Sequence, residues 1–185
     1  MKLLISVILL CLMSSTVFAD GKSEMNQGSY DLRAGKFKSA VFRFSNALQS
    51  EEIFGEARAA VLISRGQAYY HLHNYKPAIA DLTAAIRSGD INDTLVGIAL
   101  ASRASAYRMS GLYKLSVKDF NSAMDIGTIN AKMFFHRGLA LEANGQHKQA
   151  KADFERAFKM APDNMEFKEK LDQLIIPADT DTSLH

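Results

Sequence analysis

Three stretches of the chain repeat one pattern of small, apolar and polar positions: Ser64-Arg65-Gly66-Gln67-Ala68-Tyr69, Ser102-Arg103-Ala104-Ser105-Ala106-Tyr107 and His136-Arg137-Gly138-Leu139-Ala140-Leu141. Twelve residues after Gly66, Ala104 and Gly138 stand Ala78, Ser116 and Ala150. Leu82, Phe120 and Phe154 follow four later, and Ala85, Ala123 and Ala157 three after those. An earlier copy keeps this spacing through Gly28, Ala40, Phe44 and Ala47. Within a copy, apolar or small residues fall at i, i+4 and i+7, as in Leu62, Gly66 and Tyr69, then Ala78, Leu82 and Ala85. Each copy therefore predicts two helices. Ala34-Gly35-Lys36, His73-Asn74-Tyr75, Ser110-Gly111-Leu112 and Asn144-Gly145-Gln146 supply the turns between them, which makes each copy an antiparallel helix hairpin. The small residues let the paired backbones approach, and Tyr69 or Leu82 fill the space beside them. Copies three and four lie 34 residues apart and the others 38, so four residues are inserted at each of the first two junctions.

This pattern resembles the tetratricopeptide repeat, whose period of about 34 residues has a bulky residue at position 4, Gly at 8, an aromatic at 11, Ala at 20, Phe at 24, Ala at 27 and Pro at 32. The fourth copy follows it through Phe134, Gly138, Leu141, Ala150, Phe154, Ala157 and Pro162. The second has Leu62, Gly66, Tyr69, Ala78, Leu82 and Ala85, and the third Leu100, Ala104, Tyr107, Ser116, Phe120 and Ala123. The first departs at Glu24 and Asp31, which suits a terminal repeat with a wet outer face. The resemblance implies an all-α, right-handed solenoid of four hairpins, at about 21–54, 59–92, 97–130 and 131–164. Phe167, Leu171, Leu174 and Ile175 form an apolar stripe on a capping helix at about 164–176, and 177–185 reads as a disordered tail.

Residues 1–19 stand outside the repeats. Met1-Lys2, an uncharged apolar run from Leu3 to Met13, and Val17-Phe18-Ala19 have the form of a secretory signal cleaved before Asp20. The run is short for a membrane span, so none is expected after cleavage. Cys11, the one cysteine, falls within this segment, and Ile8-Leu9-Leu10 before it lacks the small residues of a lipid-modification box. The array at 20–176 is thus expected to be exported and free of thiols, in the periplasm, with the extracellular space as the alternative.

Composition acts mainly by exclusion. The 185 residues are 48% apolar and 23% charged with a net charge of +2, and no segment concentrates the basic residues, so nucleic acid is not an expected partner. No phosphate-binding loop, nucleophile elbow or cysteine nucleophile is present in the array, which makes a non-enzyme the expectation. No cofactor and no metal are expected. His71 and His73 are two apart at a helix end and face different directions, so they read as surface histidines near a turn. Asp90-Ile91-Asn92-Asp93-Thr94-Leu95 begins like a calcium loop but lacks the Gly and Glu that such a loop needs. It reads instead as capping residues, in a junction lengthened by the four-residue insertion within Gly89 to Thr94. Asn92-Asp93-Thr94 is also a glycosylation sequon.

Two further registers concern partners. Position 7 carries Arg65, Arg103 and Arg137 and position 23 carries Asp81, Asp119 and Asp153, whereas the first repeat has Gln27 and Arg43. Because acid recurs with base, each pair is expected to bridge its own hairpin, and an exposed bridge contributes about 0.2–1 kcal/mol. Positions 5, 9 and 12 lie about 100° around the helix from the hairpin face at 4, 8 and 11. The resemblance implies that this strip lines a concave groove: Met25, Ser29, Leu32; Ile63, Gln67, Tyr70; Ala101, Ser105, Arg108; Phe135, Leu139, Glu142. Chaperone-binding members hold a terminal carboxylate there with Lys and Asn, and no Lys occupies these positions here. Ile63, Gln67, Tyr70, Ser105, Arg108, Phe135 and Leu139 are the expected contacts, with Met25 and Ala101 assigned to packing between repeats. The expected role is a scaffold or adaptor that binds an apolar or amphipathic segment of a partner protein. The alternatives are a self-associating array, which would be a homo-oligomer, and an inert subunit of an envelope enzyme or secretion complex.

Overall fold

The computed structural model describes residues 20–89 and 91–175, without the side chain of Ile175. The expected signal segment with Cys11, Asp90 and the expected tail at 177–185 lie outside the described residues. The chain folds as four helix hairpins followed by one further helix: α1 (Gly21–Arg33) with α2 (Phe37–Ala47), α3 (Gly55–His71) with α4 (Tyr75–Arg87), α5 (Asp93–Met109) with α6 (Tyr113–Asp125), α7 (Ala131–Ala143) with α8 (His147–Met160), and α9 (Met165–Ile175). No strand occurs among the described residues.

Three of the first helices, α1, α5 and α7, start where a side chain satisfies the free end of the backbone. Asp20 Oδ1 accepts from Lys22 N at 3.0 Å, and Asn92 and Asn130 accept from Leu95 N and Met133 N, each also at 3.0 Å. Asn92 is therefore spent on capping α5, and its Nδ2 donates to Glu56. In all four hairpins the residue at position 15 adopts a left-handed conformation that reverses the chain. Gly35, Gly111 and Gly145 hold it at φ 72°, 75° and 79°, and His73 holds it at 60° without glycine's freedom. The inserted residues sit in helices and not in a loop. α3 and α5 have 17 residues where α1 and α7 have 13, so each insertion adds one turn to a first helix. The junction at Gly89 to Thr94 is not lengthened, because capping by Asn92 starts α5 at Asp93.

Gly28, Gly66 and Gly138 sit against Phe44, Leu82 and Phe154, where a Cβ would approach the facing side chain to 2.8, 2.8 and 2.7 Å. That closeness fixes each hairpin. The core is a series of small clusters, each built from one hairpin and position 3 of the next repeat: Val61 against the first, Ala99 against the second and Met133 against the third. Phe167 takes the same place against the fourth, beside Phe135 and Phe154, so α9 packs as the first helix of a fifth repeat would. Leu171 joins it, whereas Leu174 is exposed.

Glu24 and Asp31 are not on a wet face. Both are buried, because positions 4 and 11 point at the partner helix in every hairpin. Arg43 Nη1 bridges Glu24 Oε1 at 3.1 Å, and Ser39 Oγ and Gln27 Nε2 donate to Asp31 at 2.6 and 3.4 Å. The first hairpin thus has a polar contact where the others have an apolar one. Burial of these carboxylates is tolerable because each has partners.

Candidate partner-binding groove

The first helices α1, α3, α5 and α7 touch one another along the array, while the second helices make no comparable contact with each other among the described residues. The array therefore curves with the first helices on its inner side. Their exposed strip forms the candidate groove.

Two contacts set the register of neighbouring first helices. Position 9 reaches position 6 of the next repeat, as Gln67 Nε2 donates to Ser102 Oγ at 3.2 Å. Position 12 reaches position 6 as well. Lys170 Nζ lies 2.7 Å from Glu142 Oε2, and Arg108 faces His136. Position 6 was not singled out from the sequence, although Ser64, Ser102, His136 and Lys170 recur there in register.

The expected contacts divide under this packing. Gln67, Tyr70 and Ser105 line one cavity of about 340 Å3, together with His71 and Ser102. Tyr70 meets His71 edge-on at 5.5 Å and lies 5.9 Å from Tyr75, while His71 stacks on Phe37 at 4.5 Å. His71 thus shapes the cavity rim, and His73, bonded to the Tyr75 hydroxyl at 2.8 Å, stays in the turn. Ile63 and Phe135 are not groove residues. Ile63 is 3% exposed and packs with Leu82 and Ala99, and Phe135, also 3% exposed, stands 4.7 Å from Phe167 and 5.7 Å from Phe154. The following helix covers position 5 in both cases. Leu139 is half-buried against the same final cluster, Met25 packs on the first cluster and Ala101 on the third.

Beyond the cavity the strip carries one arginine, Arg108, without an ion pair among the described residues, and its Nε is buried without a hydrogen-bond partner. His136 Nδ1 is equally unpartnered. Burial pushes the His136 imidazole down to about 4, and the charges of Arg108 and Lys132 push the same way.

The position-7 arginines hold the scaffold beneath. Arg65, Arg103 and Arg137 each grip both carboxylate oxygens of Asp81, Asp119 and Asp153, with Nε to Oδ2 at 2.7 Å in every case. Their Nη1 atoms donate to Ser45, Thr83 and Asn121 at position 25 of the preceding hairpin. Each guanidinium so ties three helices. The bridge to Asp81 raises Arg65 above its ordinary value, and at Arg103 burial pulls downward but the bond and charge of Asp119 outweigh it. These are not exposed bridges: the aspartate side chains retain 11%, 8% and 3% of their accessible surface. Losing one partner would leave a buried charge uncompensated.

Among the described residues no cluster of three metal-ligating side chains occurs, and no helix is long and apolar enough to cross a membrane. No curated protein matches the chain in sequence. Solved structures do match it. The Arabidopsis OM64 TPR domain is 28% identical, covering 63% of this chain and 93% of that one with a TM-score of 0.56. The first TPR of Spaghetti (RPAP3), bound to the HSP90 peptide SRMEEVD, is 27% identical, covering 66% and 94% with a TM-score of 0.58. MamA from Desulfovibrio magneticus is 16% identical, covers 83% and 82%, and at a TM-score of 0.70 shares the fold. The tetratricopeptide-repeat profile matches residues 131–164, the fourth hairpin. With three further hairpins of the same register stacked before it, the chain has the fold of a tetratricopeptide-repeat solenoid, and its fourth hairpin matches that repeat in sequence.

Proposed function

We propose that the chain is a non-catalytic, exported scaffold that holds an apolar or amphipathic segment of a partner protein in the groove of its inner helices. Tetratricopeptide arrays generally mediate protein–protein interaction, and the Spaghetti domain binds a peptide. The observation that supports the reading here is the cavity bounded by Gln67, Tyr70 and Ser105, whose side chains leave an aromatic face and polar atoms open to a ligand. Arg108 extends it toward the fourth hairpin. Tyrosine and arginine of this kind dominate binding energy in protein interfaces. With Ile63 and Phe135 buried, the contacts rest on Gln67, Tyr70, Ser105 and Arg108, with Leu139 at the margin.

The test is capture of partners from an envelope extract by the chain starting at Asp20, followed by affinity measurement on the protein retained. Tyr70→Ala should weaken that affinity by about 1–3 kcal/mol while the helical circular dichroism stays unchanged. Unaltered affinity in both Tyr70→Ala and Arg108→Ala would remove the groove as the site. Export has its own readout. N-terminal sequencing of the protein from its host should give Asp20, whereas a retained Met1 or an acylated Cys11 would make it membrane-tethered.

A further inference from the structure

A second recess lies on the outer side of the array, between α6 and α8, away from the groove. It measures about 370 Å3. One difference between repeats falls on its lining. In the second and third hairpins the position-7 guanidinium lies against the tyrosine at position 11, with Arg65 Cζ 5.9 Å from the Tyr69 ring centre and Arg103 Cζ 5.7 Å from that of Tyr107. In the fourth, position 11 is Leu141, and both Leu141 and Arg137 line the recess. Arg137 instead meets Phe134 at 5.6 Å, a ring at position 4 that does not line the recess. The cleft thus lies beside a position where a shorter side chain stands in place of the ring of the second and third hairpins, and it is roomy enough for such a ring.

The lining defines what fits. Val117, Leu141 and Ala152 give an apolar floor. Above it, the polar atoms still unengaged are donors. Asn121 Oδ1 already accepts from Arg137 Nη1 at 2.7 Å, which leaves its amide N–H groups. Gln149 Oε1 accepts from Gln146 Nε2 at 2.8 Å, which leaves the same group free. Arg156 is exposed and only 3.7 Å from an Asp153 oxygen that Arg137 already holds at 2.8 Å, so two guanidinium groups share one carboxylate. A ligand must therefore offer a flat apolar body to the floor and the guanidinium, and an accepting oxygen to the rim.

We propose that this cleft is a second binding site, which takes the phenolic ring of a tyrosine side chain from a partner protein. Tyrosine combines the two requirements: its ring face attracts the cation, and its oxygen accepts from Gln149, Asn121 or Arg156. Leucine satisfies only the floor, and phenylalanine lacks the oxygen. The proposal does not depend on the groove, because the two sites share no residue.

N-acetyltyrosinamide, titrated into the full array while the methyl signals of Val117 and Leu141 are followed by NMR, tests it. The expected result is saturable shifts of these methyls, with N-acetylleucinamide binding about tenfold more weakly and N-acetylphenylalaninamide in between. Leu141→Tyr should restore the ring found in the other hairpins and abolish the titration while the helix content is retained. Gln149→Ala, at an exposed site that leaves the fold intact, should narrow the gap between the tyrosine and phenylalanine probes. Equal shifts with the leucine probe, no saturation, or binding that survives Leu141→Tyr would overturn the assignment. A Gln149→Ala protein with an undiminished preference for tyrosine would overturn the role of the rim oxygen.

Discussion

Ser116 stands at position 20, where the other hairpins have Ala40, Ala78 and Ala150. All four are buried, and the Ser116 hydroxyl has no hydrogen-bond partner. An orphaned buried hydroxyl loses its bonds to water and gains none in exchange. Ser116→Ala should raise stability by about 1 kcal/mol, read as a higher urea midpoint with an unchanged slope. His136 makes a different prediction, about pH. Its folded value of about 4 lies below the ordinary 6.5, so the neutral form belongs to the folded chain. As pH falls below 6.5 the unfolded chain takes up a proton that the folded chain refuses, and stability is lost until about pH 4. The loss amounts to as much as about 3 kcal/mol. His136→Gln should therefore lose less stability than the natural chain between pH 7 and pH 4.5, as measured by denaturant midpoints at both values. Equal losses in the two proteins would show that other groups carry the pH dependence.

Among the elements, α9 shows what an end of the array requires. It presents Phe167 at the place that Val61, Ala99 and Met133 take on the earlier hairpins, and its side chain is 2% exposed. Lys170, one turn on, pairs with Glu142. Sequence periodicity identified this helix and its apolar stripe, but it gave Leu174 the same standing as Phe167, and the structure leaves Leu174 exposed. Phe167→Ala should cost about 3 kcal/mol, in line with other buried aromatic truncations. Because each hairpin touches only its neighbours, the damage should stay local. Hydrogen exchange is expected to rise in α7 to α9 and to remain unchanged in α1 and α2.

At the scale of the molecule, the array is held by contacts within hairpins and by a thinner set between them. The arginines at position 7 belong to both sets, joining the aspartate of their own hairpin and position 25 of the one before. Such a bond needs a guanidinium, since its planar fork can hold a carboxylate with two donors and still offer a third. The result is a curved stack with one recess on its inner side at Tyr70 and another on its outer side over Leu141.

The sequence alone determined the helices, their turns and the contacts inside a hairpin, because a repeat spacing shows which face of a helix a residue occupies. Gly66 against Leu82 and Arg65 against Asp81 follow from that spacing. What the tertiary structure decided is how far each hairpin overlaps the one before it. A face that points out of one hairpin can be open, like Tyr70, or covered by the next helix, like Ile63 and Phe135, and only the rotation between hairpins separates the cases. The same applies to Glu24 and Asp31, whose charge suggested solvent although their positions point inward to Arg43 and Ser39. Position 6 is not legible in the sequence for a related reason: its partners are at positions 9 and 12 of another repeat, and periodicity within one repeat carries no information about contacts between two.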